Sequence, residues 1–301
     1  MLTPDEAIDV INARFGSHPR RRALHAKGTW CTGTFTATPA AASLTKAAHF
    51  QGDAMPVLAR LSNGSGDPNA PDYGTEVRGL AVSFELPDGS RTDLVASSLP
   101  RFVSRTADDF IGLIHAGAGK AAAWRLPLFI LSHSKMRNSL ALNVPALKPP
   151  PSYGTVDFFT VHAFRWVAAD GSSRHTRCQW VSEQPAPRLS GSDAKKLGRD
   201  YLVDDLTRAL TGGVALRWRL EAQIAAEGDD VNDPSSRWPG SRERVTVGTL
   251  QLTALAPDPE ADGAIVVMDP TRITDGIDLT DDPVLRFRAQ AYSASVERRM
   301  S

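Results

Sequence analysis

The chain has 301 residues, 42% of them hydrophobic and 23% charged, which is enough to bury a full core in one large domain or two small ones and excludes a disordered polymer. Lys plus Arg and Asp plus Glu balance at 34 each, with a pI near 7.1, so no overall field recruits nucleic acid or an anionic membrane and any anion binding falls to local clusters. Two cysteines, Cys31 and Cys178, are too few for a disulfide framework or a cysteine-built metal site; with no leader-like opening and no membrane-length apolar run, the expectation is a cytoplasmic protein with two buried, reduced thiols and no membrane span.

In chain order, Thr3 and Glu6 form a capping box with Pro4 in the first turn, and Gly16 ends a short helix that packs through Ala7, Ile8 and Ile11. Strand-like runs follow at 28–38, 56–62, 78–86 and 91–97, then at 156–167, 174–182, 214–225 and 244–255. Their alternation is clean in places: Val214, Leu216, Trp218, Leu220, Ala222 and Ile224 face one way, Arg217, Arg219, Glu221 and Gln223 the other. Turn-forming segments at 86–90, 169–173 and 228–242 join neighbouring runs. Eight such antiparallel strands can close into a barrel, which removes exposed edges; an open sandwich is the alternative. Helices interrupt the strands at 106–117, at 121–133 with a break or bend at Pro127, and at 192–210, while Pro145 to Pro151 reads as an extended crossing segment. Asp282 and Pro283 open the last helix, where Arg288, Tyr292, Ser295 and Arg299 share one face.

Two stretches carry chemistry. Arg21-Arg22-Ala23-Leu24-His25-Ala26-Lys27-Gly28 delivers a histidine at the mouth of a strand, where it can act as an acid/base group beside an anionic ligand. A lone histidine there is ordinarily a hydrogen-bonded structural residue. Arg288-Ala289-Gln290-Ala291-Tyr292 places a guanidinium one helical turn from a phenol, and by itself that is equally a packed tyrosine with a solvated cation.

Taken together and in this order, the two stretches resemble the distal and proximal segments of the haem catalases. The resemblance extends through Val57–Ser62, Glu76–Phe84 and Thr160–Phe164, covers roughly residues 20–300, and comes closest to the catalase-related peroxidases or minicatalases. It implies an α+β fold: an eight-stranded antiparallel β-barrel with surrounding helices, haem b lying between barrel and helices, and residues 1–301 forming a single domain without the family's N-terminal arm and C-terminal helical extension. It implies that His25 shuttles a proton, that Ser62 hydrogen-bonds it, and that Tyr292 ligates ferric iron as a phenolate stabilised by Arg288. By the same resemblance Arg22, Arg60 and Arg299 meet haem propionates, and Phe110 covers the distal haem face with Phe102 as an apolar neighbour. His162 either tunes the proximal side or is a core histidine.

One departure bears on activity. Ser97 stands where catalases carry a distal asparagine, and a hydroxyl lacks the carboxamide's NH2 donor. The expectation is therefore a haem peroxidase that reduces hydrogen peroxide or organic hydroperoxides with a small reductant and has weak catalase activity. The alternative is a fatty-acid hydroperoxide isomerase or dehydratase of allene oxide synthase type. The expected assembly is a homodimer, and nucleic acid is not an expected partner.

Overall fold

In the computed structural model, which describes residues 2–261 and 263–300, the chain runs α1 (Pro4–Phe15), β1 (Gly28–Ala37), α2 (Pro39–Ala42), β2 (Ala54–Asn63), β3 (Arg78–Glu85), β4 (Arg91–Ser97), α3 (Ala107–Ala116), α4 (Ala122–Ser132) and α5 (Ser134–Leu147). It continues through β5 (Phe158–Phe159), β6 (Phe164–Val167), β7 (Ser173–Ser182), α6 (Gly191–Lys196), α7 (Tyr201–Thr211), β8 (Leu216–Ile224), β9 (Arg244–Leu255), β10 (Ile277–Leu279) and α8 (Pro283–Met300). Eight strands close a ring in the order β7-β5-β4-β3-β2-β1-β9-β8, with β8 pairing back onto β7, and every pairing is antiparallel. β6 and β10 extend from β7 as a short flap outside the ring. The closed barrel anticipated from the alternating runs is thus present, and the sandwich is not.

Alternation sets the inside. Cys31, Phe35, Ala59, Leu61, Leu80, Val82, Trp180, Trp218, Leu220 and Leu250 are fully or almost fully buried in one continuous apolar cluster, where Phe35 meets Phe50, Phe84 and Trp180 edge to face. Cys31 and Cys178 are free and buried, as expected, and burial pushes both thiols up to about 12. A second, smaller cluster of Ala7, Ile8, Ile11, Ile111, Ile114 and Ala294 joins α1, α3 and α8 on the outside of the barrel. The Thr3 and Glu6 capping box and the Thr106 cap are both made, so each helix starts where its sequence signal puts it.

Four expectations are corrected. The run 156–167 is two short strands: Thr160 still donates its backbone N–H to the Cys178 carbonyl, but the Cys178 N–H goes to Thr160 Oγ1 instead of a main-chain carbonyl, and 161–163 leave the ladder. The helix expected over 192–210 is α6 and α7, separated at Gly198, whose φ of 111° no helix accommodates. The chain from Pro145 is still helical to Leu147, at the end of the unanticipated α5, and becomes extended only from Lys148. β10, three residues long, is too short for an alternation signal. At Pro127, α4 continues without a break.

Candidate functional site

Register builds one wall of the site. Ser62 pairs with both Gly28 and Gly79, Gly79 with Ser97, and Ser97 with Phe159, so these residues form a single row across β1 to β5. Paired residues share a face. This row lies on the outer face, because Leu61 and Leu80, their chain neighbours, are buried in the core.

His25 lies over the row. Its Nδ1 is 3.0 Å from Ser62 Oγ, and its backbone is left-handed (φ 56°), an uncommon conformation for a residue with a side chain. Three contacts hold it there: its N–H donates to Gly64 O, and Arg60 donates through Nη1 and Nη2 to the carbonyls of His25 and Ala26 at 2.9 and 3.3 Å. Two glycines make the room. A Cβ at Gly79 would lie 2.7 Å from Ser62 Oγ and 2.9 Å from the imidazole, and one at Gly28 would lie 2.5 Å from the Arg60 guanidinium carbon. Burial, then the charges of Arg60, Arg288, Arg22 and Arg78, push His25 down to about 3, so the imidazole is neutral across the physiological range.

The facing wall is α8. Asp282, fully buried, caps it: Oδ1 accepts from the backbone N–H of Val284 and Leu285, while Oδ2 is 2.6 Å from His162 Nδ1. The carboxylate selects the tautomer with the proton on Nδ1, which leaves the buried Nε2 as a lone pair with no partner among the described residues. Desolvation keeps His162 low and neutral against the opposing pull of Asp282. Arg288, one turn into the helix, lowers both His25 and His162, so its charge sits where both rings feel it. Tyr292 follows one turn later on the same face, and among the described residues neither it nor Arg288 has a hydrogen-bond partner. Phe102 links the walls, its ring 4.9 Å from Phe110 and 6.4 Å from His162.

At the far end, Arg22 Nη2 and Arg299 Nη1 converge on one carboxylate oxygen, Glu260 Oε1, at 3.2 and 2.9 Å. Trp30 lies beneath the Arg22 and Arg60 guanidinium groups, each 5.6 Å from its ring.

Against known proteins, the family model described as Catalase matches residues 17–301. The chain belongs to the catalase family. A "Catalase-related peroxidase" of Mycolicibacterium paratuberculosis is 46% identical over 299 residues, covering 99% of this chain and 95% of the relative. A second protein of that name, from Synechococcus elongatus, is 31% identical and covers 99% and 89%. Among solved structures, a fungal catalase superposes with a TM-score of 0.84 at 22% identity over 94% of this chain, and a bacterial catalase with 0.82 at 24%. This chain spans 60% and 58% of those two catalase chains.

A catalase-family member is expected to carry haem, and the residues present fit that group. The buried Nε atoms of Arg22, Arg60 and Arg299 lack partners among the described residues, and Arg22 with Arg299 already converges on a carboxylate. Of the residues singled out from sequence, the structure brings His25, Ser62 and Ser97 to one row, and Arg288, Tyr292 and Arg299 to one helix face. Arg60 differs from its expected use in one respect, since both terminal nitrogens are engaged with the backbone at His25 and Ala26.

Sequence reasoning missed three residues. Gly79 could have been found from the strand register of 56–62 against 78–86, which places it opposite Ser62. Asp282 was read as a helix opener, and nothing in the sequence tied it to a histidine 120 residues earlier. Glu260 sits in a loop with no pattern around it.

Proposed function

We propose that this chain is a haem-dependent peroxidase that reduces hydrogen peroxide or organic hydroperoxides at the expense of a small electron donor, with weak catalase activity. The observation that carries the reading is a neutral, left-handed His25 pinned to Ser62 above the Gly79 gap, facing a helix that presents Arg288 and Tyr292. In this reading Tyr292 would hold ferric haem b, Arg288 would stabilise its phenolate, and Arg22, Arg299 and the Nε of Arg60 would receive the propionates. Phe102 and Phe110 supply an apolar cover.

When bound, the haem supplies the redox chemistry that divides the peroxide O–O bond. His25 moves the proton: Nδ1 is engaged by Ser62, so Nε2 removes the hydroperoxide proton and returns it to the departing oxygen, which leaves as water or an alcohol. Neutrality is what equips the ring as the base, and burial first, then the surrounding arginines, maintain it. The small donor then returns two electrons. Ser97 offers one hydroxyl where a carboxamide would offer two N–H donors, so a second hydrogen peroxide is poorly oriented and disproportionation is slow. His162, held by Asp282, acts behind Arg288 as a fixed neutral acceptor.

Residues 1–301 are proposed to act as one haem-binding unit, in the cytoplasm and as a homodimer, which sedimentation velocity of the loaded protein checks. The deciding experiment is His25→Ala: peroxide-dependent dye oxidation falls by about 10²–10⁴-fold while the haem spectrum is retained. Retained turnover would reject the proton shuttle. Product analysis with a lipid hydroperoxide separates reduction from rearrangement, an alcohol supporting the peroxidase and a ketol the isomerase.

A further inference from the structure

Helix α4 has the sequence AAWRLPLFILS, yet it buries no residue. An apolar helix of this kind is ordinarily enclosed. Its outward face is Trp124, Pro127, Leu128 and Leu131, at i, i+3, i+4 and i+7, with Trp124, Leu128 and Leu131 58–62% exposed. Leu142 and Val144 of α5 continue the surface at 50% and 53%. Five of the eight large exposed hydrophobics of the described chain therefore fall within 21 residues.

Charge identifies what this surface meets. From residue 110 to 156 the sequence holds no Asp or Glu but has Lys120, Arg125, Lys135, Arg137 and Lys148, in a chain that as a whole balances at 34 of each sign. Lys120, Lys135, Arg137 and Lys148 are exposed on the same stretch of chain as the apolar stripe, while a carboxylate of α3, Asp109 Oδ1, lies 3.7 Å from His133 Nε2 at the junction of α4 and α5. Two copies of this face would bring like charges together. An anionic surface complements it, with the indole at the interfacial level and the lysine stems lying along acyl chains. Among the described residues no helix is long and apolar enough to cross a membrane. The patch is firmly seated on the protein: Phe129 of α4 packs over Gly112 of α3, where a Cβ would lie 2.8 Å from its ring, and the same helix carries Phe110.

We propose that α4 and α5 form a peripheral docking surface for an anionic phospholipid bilayer. This docking stands or falls separately from the peroxidase reading, because its readout is binding. The test is co-sedimentation of the haem-loaded protein with phosphatidylcholine vesicles containing half phosphatidylglycerol, beside vesicles of phosphatidylcholine alone. Binding to the anionic vesicles is expected, weakening at least tenfold in 0.5 M salt, with a blue shift of tryptophan emission that Trp124→Ser removes. The double variant Trp124→Ser/Leu128→Ser should bind at least tenfold more weakly, as should Lys135→Glu/Arg137→Glu, with hydrogen peroxide turnover in solution unchanged in both. Equal binding by wild type and variants, or none to anionic vesicles at low salt, overturns the proposal. A dimer that dissociates in the Trp124→Ser/Leu128→Ser variant also overturns it, since the occupant is then a second copy.

Discussion

The two walls of the site are made by different physics. The barrel wall is fixed by register: once β1 to β4 pair, Gly28, Ser62, Gly79 and Ser97 fall in line, and His25 finds its hydrogen bond inside the protein. The helix wall is fixed at its two ends, by the Asp282 and His162 pair at the first turn and by the Arg299 and Glu260 ion pair at the last, while Arg288 and Tyr292 between them have no hydrogen-bond partner among the described residues. A sheet positions by exclusion of side chains; a helix positions by its caps and leaves its middle free for chemistry. Changes on the barrel wall should therefore be punished sterically, and changes at the helix ends electronically.

The most damaging change on this view, after loss of His25 itself, is Gly79→Ala. Its methyl must displace the imidazole or the Ser62 hydroxyl, and a misplacement of the order of 1 Å costs roughly 10²-fold, so peroxidase kcat should fall by about that factor with the fold and haem content retained. An unchanged kcat would show that the row does not set the position of His25.

Asp282→Asn breaks the other wall without breaking the helix, because asparagine caps about as well as aspartate. With Oδ1 still accepting from Val284 and Leu285, the amide NH2 faces His162 Nδ1 and forces the proton to Nε2. Haem affinity or turnover should change by about 10–100-fold, with a shifted visible spectrum and a melting temperature close to wild type. An unshifted spectrum would remove His162 from the proximal electronics.

Ser97→Asn sharpens the comparison in the opposite direction, by adding a donor to the barrel wall. Oxygen evolution from hydrogen peroxide should rise several-fold relative to dye oxidation, which parallel assays measure.

The smallest effect lies in the core that both walls share. Burial pushes His49 from 6.5 down to about 3, and its Nδ1 has no partner among the described residues. The unfolded chain binds this proton and the folded chain does not, so the stability is fully present above pH 6.5 and is lost as pH falls from 6.5 toward 3. At pH 5 the loss is about 2 kcal/mol for this ring. His49→Phe, between Phe50 and Phe84, should raise apoprotein stability at pH 5 relative to pH 7.5, as denaturant midpoints read it. The same drop in both proteins would mean that His49 is not buried neutral.

Much of the barrel was legible because alternation reports burial directly: the stripe of Trp218, Leu220 and Ala222 can face only a core. Caps were legible for a similar local reason, since Thr3 with Glu6 and Thr106 with Asp109 satisfy donors within four residues. The strand over 156–167 was misread because the Thr160 hydroxyl takes the Cys178 N–H that a main-chain carbonyl would otherwise accept, and that partner, 18 residues away, is not revealed by periodicity. Phe102 was read by resemblance as an apolar neighbour of Phe110, and its ring does lie against Phe110; that it also approaches His162 is a fact of packing that no local pattern carries.

The sequence by itself determined the inventory: the strands and their inward residues, the helix starts, and through its motifs the imidazole, the phenol and four of the arginines near them. Those are short-range facts, encoded in periodicity and in neighbouring residues. Only the tertiary structure decided that Gly79 opens the space for His25, that Asp282 selects the His162 tautomer, that Arg22 and Arg299 meet at Glu260, and that the apolar side of α4 stays outside. Each of these depends on which distant backbones are brought together, and closure of the barrel sets that geometry after the local preferences have been satisfied.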